Sequence, residues 1–316
     1  MAWFSLKPPV AEAEQESLGI DKEVLRTVKR IELSLRNTIN TVMAGAYNSS
    51  FKGNGMEFSE VREYVPGDDV RSIDWNVTAR TGTPYVKKYV EERELTMMLV
   101  VDASSSAEFG SDKEMKGQVM ATISALMSFA AINNNDKVGL LIFTDQVELF
   151  IPPAKGRRHA LRVVRELLVF KPQGKRTDLQ TGLEYLSGIL RRRSIVMVIS
   201  DFQDSGYERA LKMLRRRHDV IAVSVVDPRE MALPDAGFVE LEDPETGETL
   251  LVDTSDAKFR EAFKKEAQND LKRLRQLFQR ISVDFVRIVT TPDAQETVAP
   301  LVDYFRRRSK EVRRGV

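Results

Sequence analysis

A carboxylate followed at alternate positions by two hydroxyls, Asp102, Ser104 and Ser106, closes the apolar run TMMLVVD (96–102). A second run, SIVMVIS (194–200), is closed by Asp201, and a loop GKRTDLQTG (174–182) lies between the two in sequence. Two carboxylates with neutral hydroxyls suit a hard divalent cation, Mg²⁺ or Mn²⁺, which takes oxygen ligands and keeps several waters. Alternate residues of an extended chain face one side, so Asp102, Ser104 and Ser106 can point together as the strand runs into its loop, while Ala103 and Ser105 point away. Each piece alone has an ordinary reading, because Ser and Asp at a strand-to-helix junction commonly make turns and caps. Their joint placement at strand ends is what favours a site.

Composition narrows the chemistry to the same ligand type. The 316 residues contain no cysteine and two histidines, His159 and His218, in unrelated stretches. Disulfides, thiolate nucleophiles, iron–sulfur clusters and multi-histidine metal centres are therefore excluded, and oxygen is the ligand that remains. With 48 Lys+Arg against 47 Asp+Glu the formal charge is +1, so no global field draws the chain to nucleic acid or anionic membrane. Neither G-x-x-x-x-G-K-[ST] nor a post-strand G-x-G-x-x-G occurs, which argues against nucleotide hydrolysis. The first twenty residues lack a basic start followed by an apolar stretch, and apolar runs such as MMLVV (97–101) fall far below the ~20 residues that span a bilayer. The sequence predicts a cytoplasmic protein with no integral membrane segment.

The elements that must hold these residues follow from periodicity. Residues 21–44 place Val24, Leu25, Val28, Ile31, Leu35, Ile39 and Val42 at spacings of mostly three and four, which predicts one amphipathic helix. Glycines, a Pro-Gly turn and the alternating run PYVKKYV predict a small β-rich unit over 45–94. From residue 95, apolar runs at 96–102, 137–143, 194–200, 219–227 and 283–290 alternate with helical stretches, the pattern of a parallel sheet covered on both faces. The run at 147–152 follows its predecessor after a three-residue turn and must pair with it antiparallel, and 238–253 reads as a second hairpin. The expected class is α/β, doubly wound, mostly parallel with one antiparallel edge strand, plus a smaller N-terminal helix and β-rich unit. The expected divisions are a tail at 1–20, the appended segment at 21–94, the α/β domain at 95–305 and a basic tail at 306–316. In open parallel sheets ligands bind beyond the carboxyl ends of the strands, near the reversal of strand order, where DASSS and Asp201 are expected.

DASSS after the first strand, a loop threonine before the fourth and an aspartate just after that strand resemble the metal-ion-dependent adhesion site of von Willebrand factor A-type domains. The resemblance covers roughly 95–305 and implies that Asp102, Ser104, Ser106, Thr177 and Asp201 hold the ion, with a partner's carboxylate completing the shell. Thr181 is the fallback for Thr177, because the spacing from Thr177 to Thr181-Gly182 is longer than in many such domains. The segment GNGMEFSEVREYVPGDDVRSIDWNVTARTGTPYVKKYVEERE (53–94), running into the DASSS strand, resembles the bacterial family called domain of unknown function 58. That resemblance implies a MoxR-type AAA+ ATPase, or its client, as protein partner.

Three functions compete on the sequence. The first is a non-enzymatic, metal-dependent protein-binding module, an adaptor or co-chaperone for such an ATPase. The second is a Mg²⁺-dependent phosphohydrolase with Asp102 as nucleophile, although the general acid expected two residues on is Ser104, which serves that role poorly. The third is a structural scaffold with a degenerate ion site. Elsewhere, Arg62, Asp68, Asp69, Arg71, Asp74 and Trp75 read as turn, caps and an Arg–Asp pair fixing the appended unit to the main domain, with Trp75 as packing anchor. Arginine triplets at 191–193, 215–217 and 306–308 read as cations at helix C-termini. The helix at 256–281 reads as a core helix through Phe259, Phe263, Ala267, Leu271, Leu274, Leu277 and Phe278.

Overall fold

The structure, a computed structural model, describes residues 22–39, 47, 57–90, 94–104, 115–242 and 248–314. It divides into two compact units, one formed by residues 1–50 with 95–316 and the other by Phe51–Glu94. The N-terminal helix α1 (Lys22–Asn37) thus belongs with the α/β unit, whereas the sequence pattern groups it with the appended segment. Long-range packing decides this: Val28 and Leu35 are buried, and Glu32 pairs with Arg157 at 2.7 Å.

The larger unit contains β3 (Thr96–Asp102), β4 (Lys137–Phe143), β5 (Val147–Ala154), β6 (Ile195–Ser200), β7 (Asp219–Val226) and β10 (Asp284–Val289) in one sheet, ordered β10-β7-β6-β3-β4-β5. Every neighbouring pair is parallel except β4–β5. The doubly wound, mostly parallel α/β class with one antiparallel edge strand expected from the sequence is the class observed. A second, separate pair, β8 (Phe238–Glu242) with β9 (Thr249–Asp253), forms the expected hairpin, whose turn lies outside the described residues. In the smaller unit β1 (Glu57–Glu63) pairs antiparallel with β2 (Tyr85–Val90), and the short helix α2 (Trp75–Thr81) lies between them in sequence.

Alternation along the central strands builds two cores. Met98 and Val100 of β3, Val196 and Val198 of β6 and Val220 and Ala222 of β7 pack with Leu183 and Leu186 of α5 (Leu179–Ile189), Leu211 and Leu214 of α6 (Glu208–Arg217) and Phe278 of α8 (Ala257–Ile281). Against the opposite face runs α3 (Met115–Asn133), itself flanked by α1, α4 (Arg157–Val169) and α9 (Ala294–Arg314). Covered on several sides, α3 is buried from Val119 to Ala131 and largely apolar there, as a helix inside a core must be. Close approach on the first face requires Gly182, since a Cβ there would meet the ring of Phe143 at 2.8 Å.

Three expectations are corrected. Helix α9 runs through the basic stretch to Arg314, so residues 306–314 continue a helix and the triplet 306–308 is mid-helix. Arg308 bonds Asp219 and reaches Asp284 at 2.9 Å, and buried Ser309 helps to anchor the same turn. Only the last turn of α8 is core, with Phe278 and Ile281 buried, because its earlier apolar positions are half-covered. Trp75 is 66% exposed and anchors no core. Residues 1–20, expected to form a tail, lie outside the described residues. No helix among the described residues is long and apolar enough to cross a membrane.

Candidate functional site

Strands β3 and β6 are adjacent and parallel, and the chain leaves them in opposite directions, to β4 on one side and β7 on the other. Their carboxyl ends therefore form the crevice where doubly wound sheets bind ligands. Asp102 ends β3 and Asp201 follows β6 immediately, so the topology places both carboxylates there, and both are buried.

The two strand ends are bonded to each other. The Ser200 hydroxyl donates to Asp102 Oδ2 at 2.7 Å, and the Ser104 amide donates to Asp102 Oδ1 at 3.0 Å. Past β6 the backbone turns sharply: Phe202 adopts φ +60°, a left-handed conformation that non-glycine residues take only at a cost. Its ring, packed edge-on against Phe278 at 5.1 Å, and its amide, donated to the Ser200 hydroxyl at 3.0 Å, hold that turn. The Gln203 amide in turn donates to Asp201 Oδ1 at 3.1 Å.

The loop bearing Thr177 is tied to the same end of the sheet. The Asp178 amide donates to the carbonyl of Thr144, just past β4, and the Leu179 amide to Asp204 Oδ2, past β6. Gly174 permits this approach, because a Cβ there would lie 2.2 Å from the Thr144 hydroxyl. Asp178 caps α5, accepting from the Thr181 amide at 2.9 Å and hydroxyl at 2.7 Å. That contact engages the Thr181 hydroxyl as part of the helix cap. Ser106 lies outside the described residues.

Electrostatics distinguish this end of the sheet. Burial, reinforced by the nearby charge of Asp201, pushes Asp102 up to about 6. Two buried carboxylates brought close together favour a cation between them, and the oxygen-only donors match Mg²⁺ or Mn²⁺. Among the described residues no three acidic or imidazole groups converge, so a bound ion would rest on two carboxylates, hydroxyls and water.

Lys116, at the start of α3, is fully buried and was missed by motif reasoning. Its ammonium donates to Asp201 Oδ2 at 3.3 Å and to Glu230 Oε1 at 2.5 Å. Burial pulls Lys116 down, but Asp201 and Glu230 outweigh it and its pKa is raised. Glu230 belongs to the short turn α7 (Pro228–Met231) after β7, where a capping box with Asp227 holds it. The signal for Lys116 was in the sequence: it is the one charge in MKGQVMATISALMSFAAIN, and a charge in so apolar a helix needs a buried partner.

In the smaller unit the acidic residues close on their own segment. Asp68 pairs with Arg62 through two bonds of 2.7 and 2.8 Å, while Asp69 and Asp74 accept from amides two or three residues on. The Arg62–Asp68 pair is thus internal to this unit, where the sequence reading used it as a tie to the main domain.

Comparison with known proteins adds the following. The family model described as "Protein of unknown function DUF58" matches residues 60–273. "Uncharacterized protein Rv1480" of Mycobacterium tuberculosis is 35% identical over 230 residues, covering 72% of this chain and 73% of that one. "Uncharacterized protein YeaD" of Bacillus subtilis is 24% identical over 111 residues, or 35% of this chain and 26% of the other. Among solved structures, the conserved hypothetical protein BatB from Bacteroides thetaiotaomicron aligns at TM-score 0.41 and 14% identity, covering 70% of this chain and 99% of its own. Proximal thread matrix protein 1 from the mussel byssus, with a zinc-occupied MIDAS motif, aligns at TM-score 0.35 and 17% identity over 43% of this chain and 39% of its own. Structural likeness at this level says nothing about the site.

Proposed function

The chain belongs to the DUF58 family of proteins of unknown function, and on that premise we propose that it is a non-enzymatic, metal-dependent protein-binding module. The observation that carries this reading is the meeting of buried Asp102 and Asp201 at the reversal of strand order, with hydroxyl-bearing residues around them. Asp102, Ser104, Ser106, Thr177 and Asp201 would hold Mg²⁺ or Mn²⁺. When bound, the ion supplies an open coordination position for a partner's carboxylate.

The chain's own groups do the positioning. Ser200 and the Ser104 amide fix the Asp102 carboxylate, and Lys116 with the Gln203 amide fixes that of Asp201. With both Asp102 oxygens so engaged and a serine two residues on, the arrangement favours holding a ligand over nucleophilic turnover. A MoxR-type AAA+ ATPase or its client is the partner we propose, through the family resemblance, with this chain as adaptor or co-chaperone in the cytoplasm.

Calorimetric titration with Mn²⁺ and pull-down of the ATPase, each with wild type and Asp102→Ala, test this. Wild type should bind metal, and should retain the partner with metal present and lose it in chelator. Equal retention by Asp102→Ala, with and without chelator, would sink the metal-dependent reading.

A further inference from the structure

Strand β10 is the open edge of the six-stranded sheet, with β7 as its strand neighbour on one side only. Along it runs a groove of about 1180 Å³, lined by the five consecutive residues Val283 to Arg287. Consecutive strand residues point to opposite faces, so a groove that touches all five follows the strand's free backbone edge. Phe285 stacks on Phe278 of α8 on one face, and Asp284 meets Tyr304 of α9 on the other, so each helix forms one wall.

Those walls are basic. Arg275 projects from α8, and Arg306, Arg307 and Lys310 from α9. Three acids share the lining with five cations: Asp284 accepts from Tyr304 and Arg308, Asp303 pairs with Arg306 at 3.3 Å, and Glu296 makes no ion pair among the described residues. Arg275 has no carboxylate within ion-pairing distance among the described residues. The Arg287 Nε is buried without a hydrogen-bond partner, while its Nη2 lies against the Met231 sulfur, next to Glu230. A buried guanidinium donor left unmatched is costly unless an acceptor reaches it. Burial, with the charge of Arg275 adding to it, also lowers the pKa of Arg287, as befits two cations facing one space.

We propose that this groove binds an acidic segment of a protein partner in extended form, added to β10 as a further strand with its carboxylates on Arg275 and Arg287. An unpaired edge offers alternating amides and carbonyls, which match another polypeptide strand, while the basic walls select side chains of opposite sign. A nucleic acid would satisfy the cations but would leave those backbone groups half-matched. Binding at this groove does not require a metal at Asp102 and Asp201.

Fluorescence anisotropy with the full chain tests it, using a short labelled peptide of alternating Glu and Val. Controls are the same peptide N-methylated at alternate residues, a Lys–Val peptide and an oligothymidylate. The Glu–Val peptide should bind, with affinity falling as salt rises, and N-methylation should weaken it about tenfold or more by removing strand pairing. The double variant Arg275→Glu, Arg307→Glu changes two exposed residues and should keep the wild-type circular dichroism while binding about tenfold more weakly. Arg287→Gln should shift affinity the same way. No binding of the Glu–Val peptide, equal binding of its N-methylated form, equal binding by the double variant, or tighter binding of the oligothymidylate would each overturn the proposal.

Discussion

Acidic and basic side chains meet in two regions of this molecule with opposite consequences. At the end of the sheet, Asp102, Asp201 and Glu230 find partners 85 to 114 residues away in sequence, and those contacts are buried or nearly so. In the smaller unit, Asp68, Asp69 and Asp74 find theirs within six residues, in solvent-exposed or part-buried positions. The residue types are the same. Local partners shape a turn, whereas distant partners in a buried crevice interact more strongly because solvent screens them less.

The largest effect that contrast predicts is at Lys116. Lys116→Met keeps the bulk but leaves Asp201 and Glu230 buried without their ammonium, and breaking one side of a buried ion pair costs roughly 3–5 kcal/mol. Urea denaturation should show the loss, and the double variant Lys116→Met, Glu230→Gln should recover part of it. A loss below about 1 kcal/mol, the range of surface pairs, would erase the distinction between the regions.

Next in size is a pH effect at Asp102. Its folded pKa of about 6 lies above the usual aspartate value, so folding favours the protonated acid. The sign follows: that stabilisation is present below about pH 4 and is lost as pH rises through 6. In chelator, Asp102→Asn should therefore be more stable than wild type at pH 7.5, by about 3 kcal/mol, and the two should converge near pH 4. The same variant should lose metal-dependent partner retention, separating stability from function at one atom. Thermal melts across that range read it, and a wild type more stable than the variant at pH 7.5 would reverse the sign.

How much of this was legible in the sequence tracks the same divide. Alternation and run length gave the sheet, its antiparallel β4–β5 edge and the positions of Asp102 and Asp201 at strand ends, because those signals are local. Lys116 and Glu230 were not found, since their partnership spans 114 residues and exists only once α3 and α7 pack over the sheet ends. The helix through 306–314 was read as a tail because its charges hide the contacts Arg308 makes with Asp219 and Asp284, on two different strands. Trp75 misled in the other direction: size suggested burial, but its place at the first turn of a short exposed helix leaves it nothing to pack under.

A smaller effect separates burial from partnership. His218, just after α6, is buried with neither ring nitrogen hydrogen-bonded, and burial, with Arg217 adding repulsion, lowers its pKa. The unfolded chain then binds the proton more readily, so stability holds above the ordinary histidine value near 6.5 and falls as pH drops below it. His218→Leu should flatten that acid limb between pH 7 and 5. An unchanged slope would mean that burial without a distant charged partner contributes nothing measurable.

The smallest effect belongs to the exposed pair. Arg62 and Asp68 have near-ideal bidentate geometry, and the hydrogen bond from Arg62 holds Asp68 below the usual carboxylate range. Solvent screens both groups, and ordering two long side chains offsets most of what the contact gains. Arg62→Met should thus leave the unfolding midpoint unchanged in both low and high salt. Asp68 keeps a second role, accepting from the Val65 amide at 3.0 Å across the turn at Gly67, whose φ of +113° strains any other residue. Asp68→Ala should therefore be felt more than Arg62→Met, as faster hydrogen exchange at the Val65 amide. Were the arginine variant the more damaging of the two, the unit would depend on charge after all, and the contrast with the sheet ends would rest on burial alone and no longer on the distance between partners.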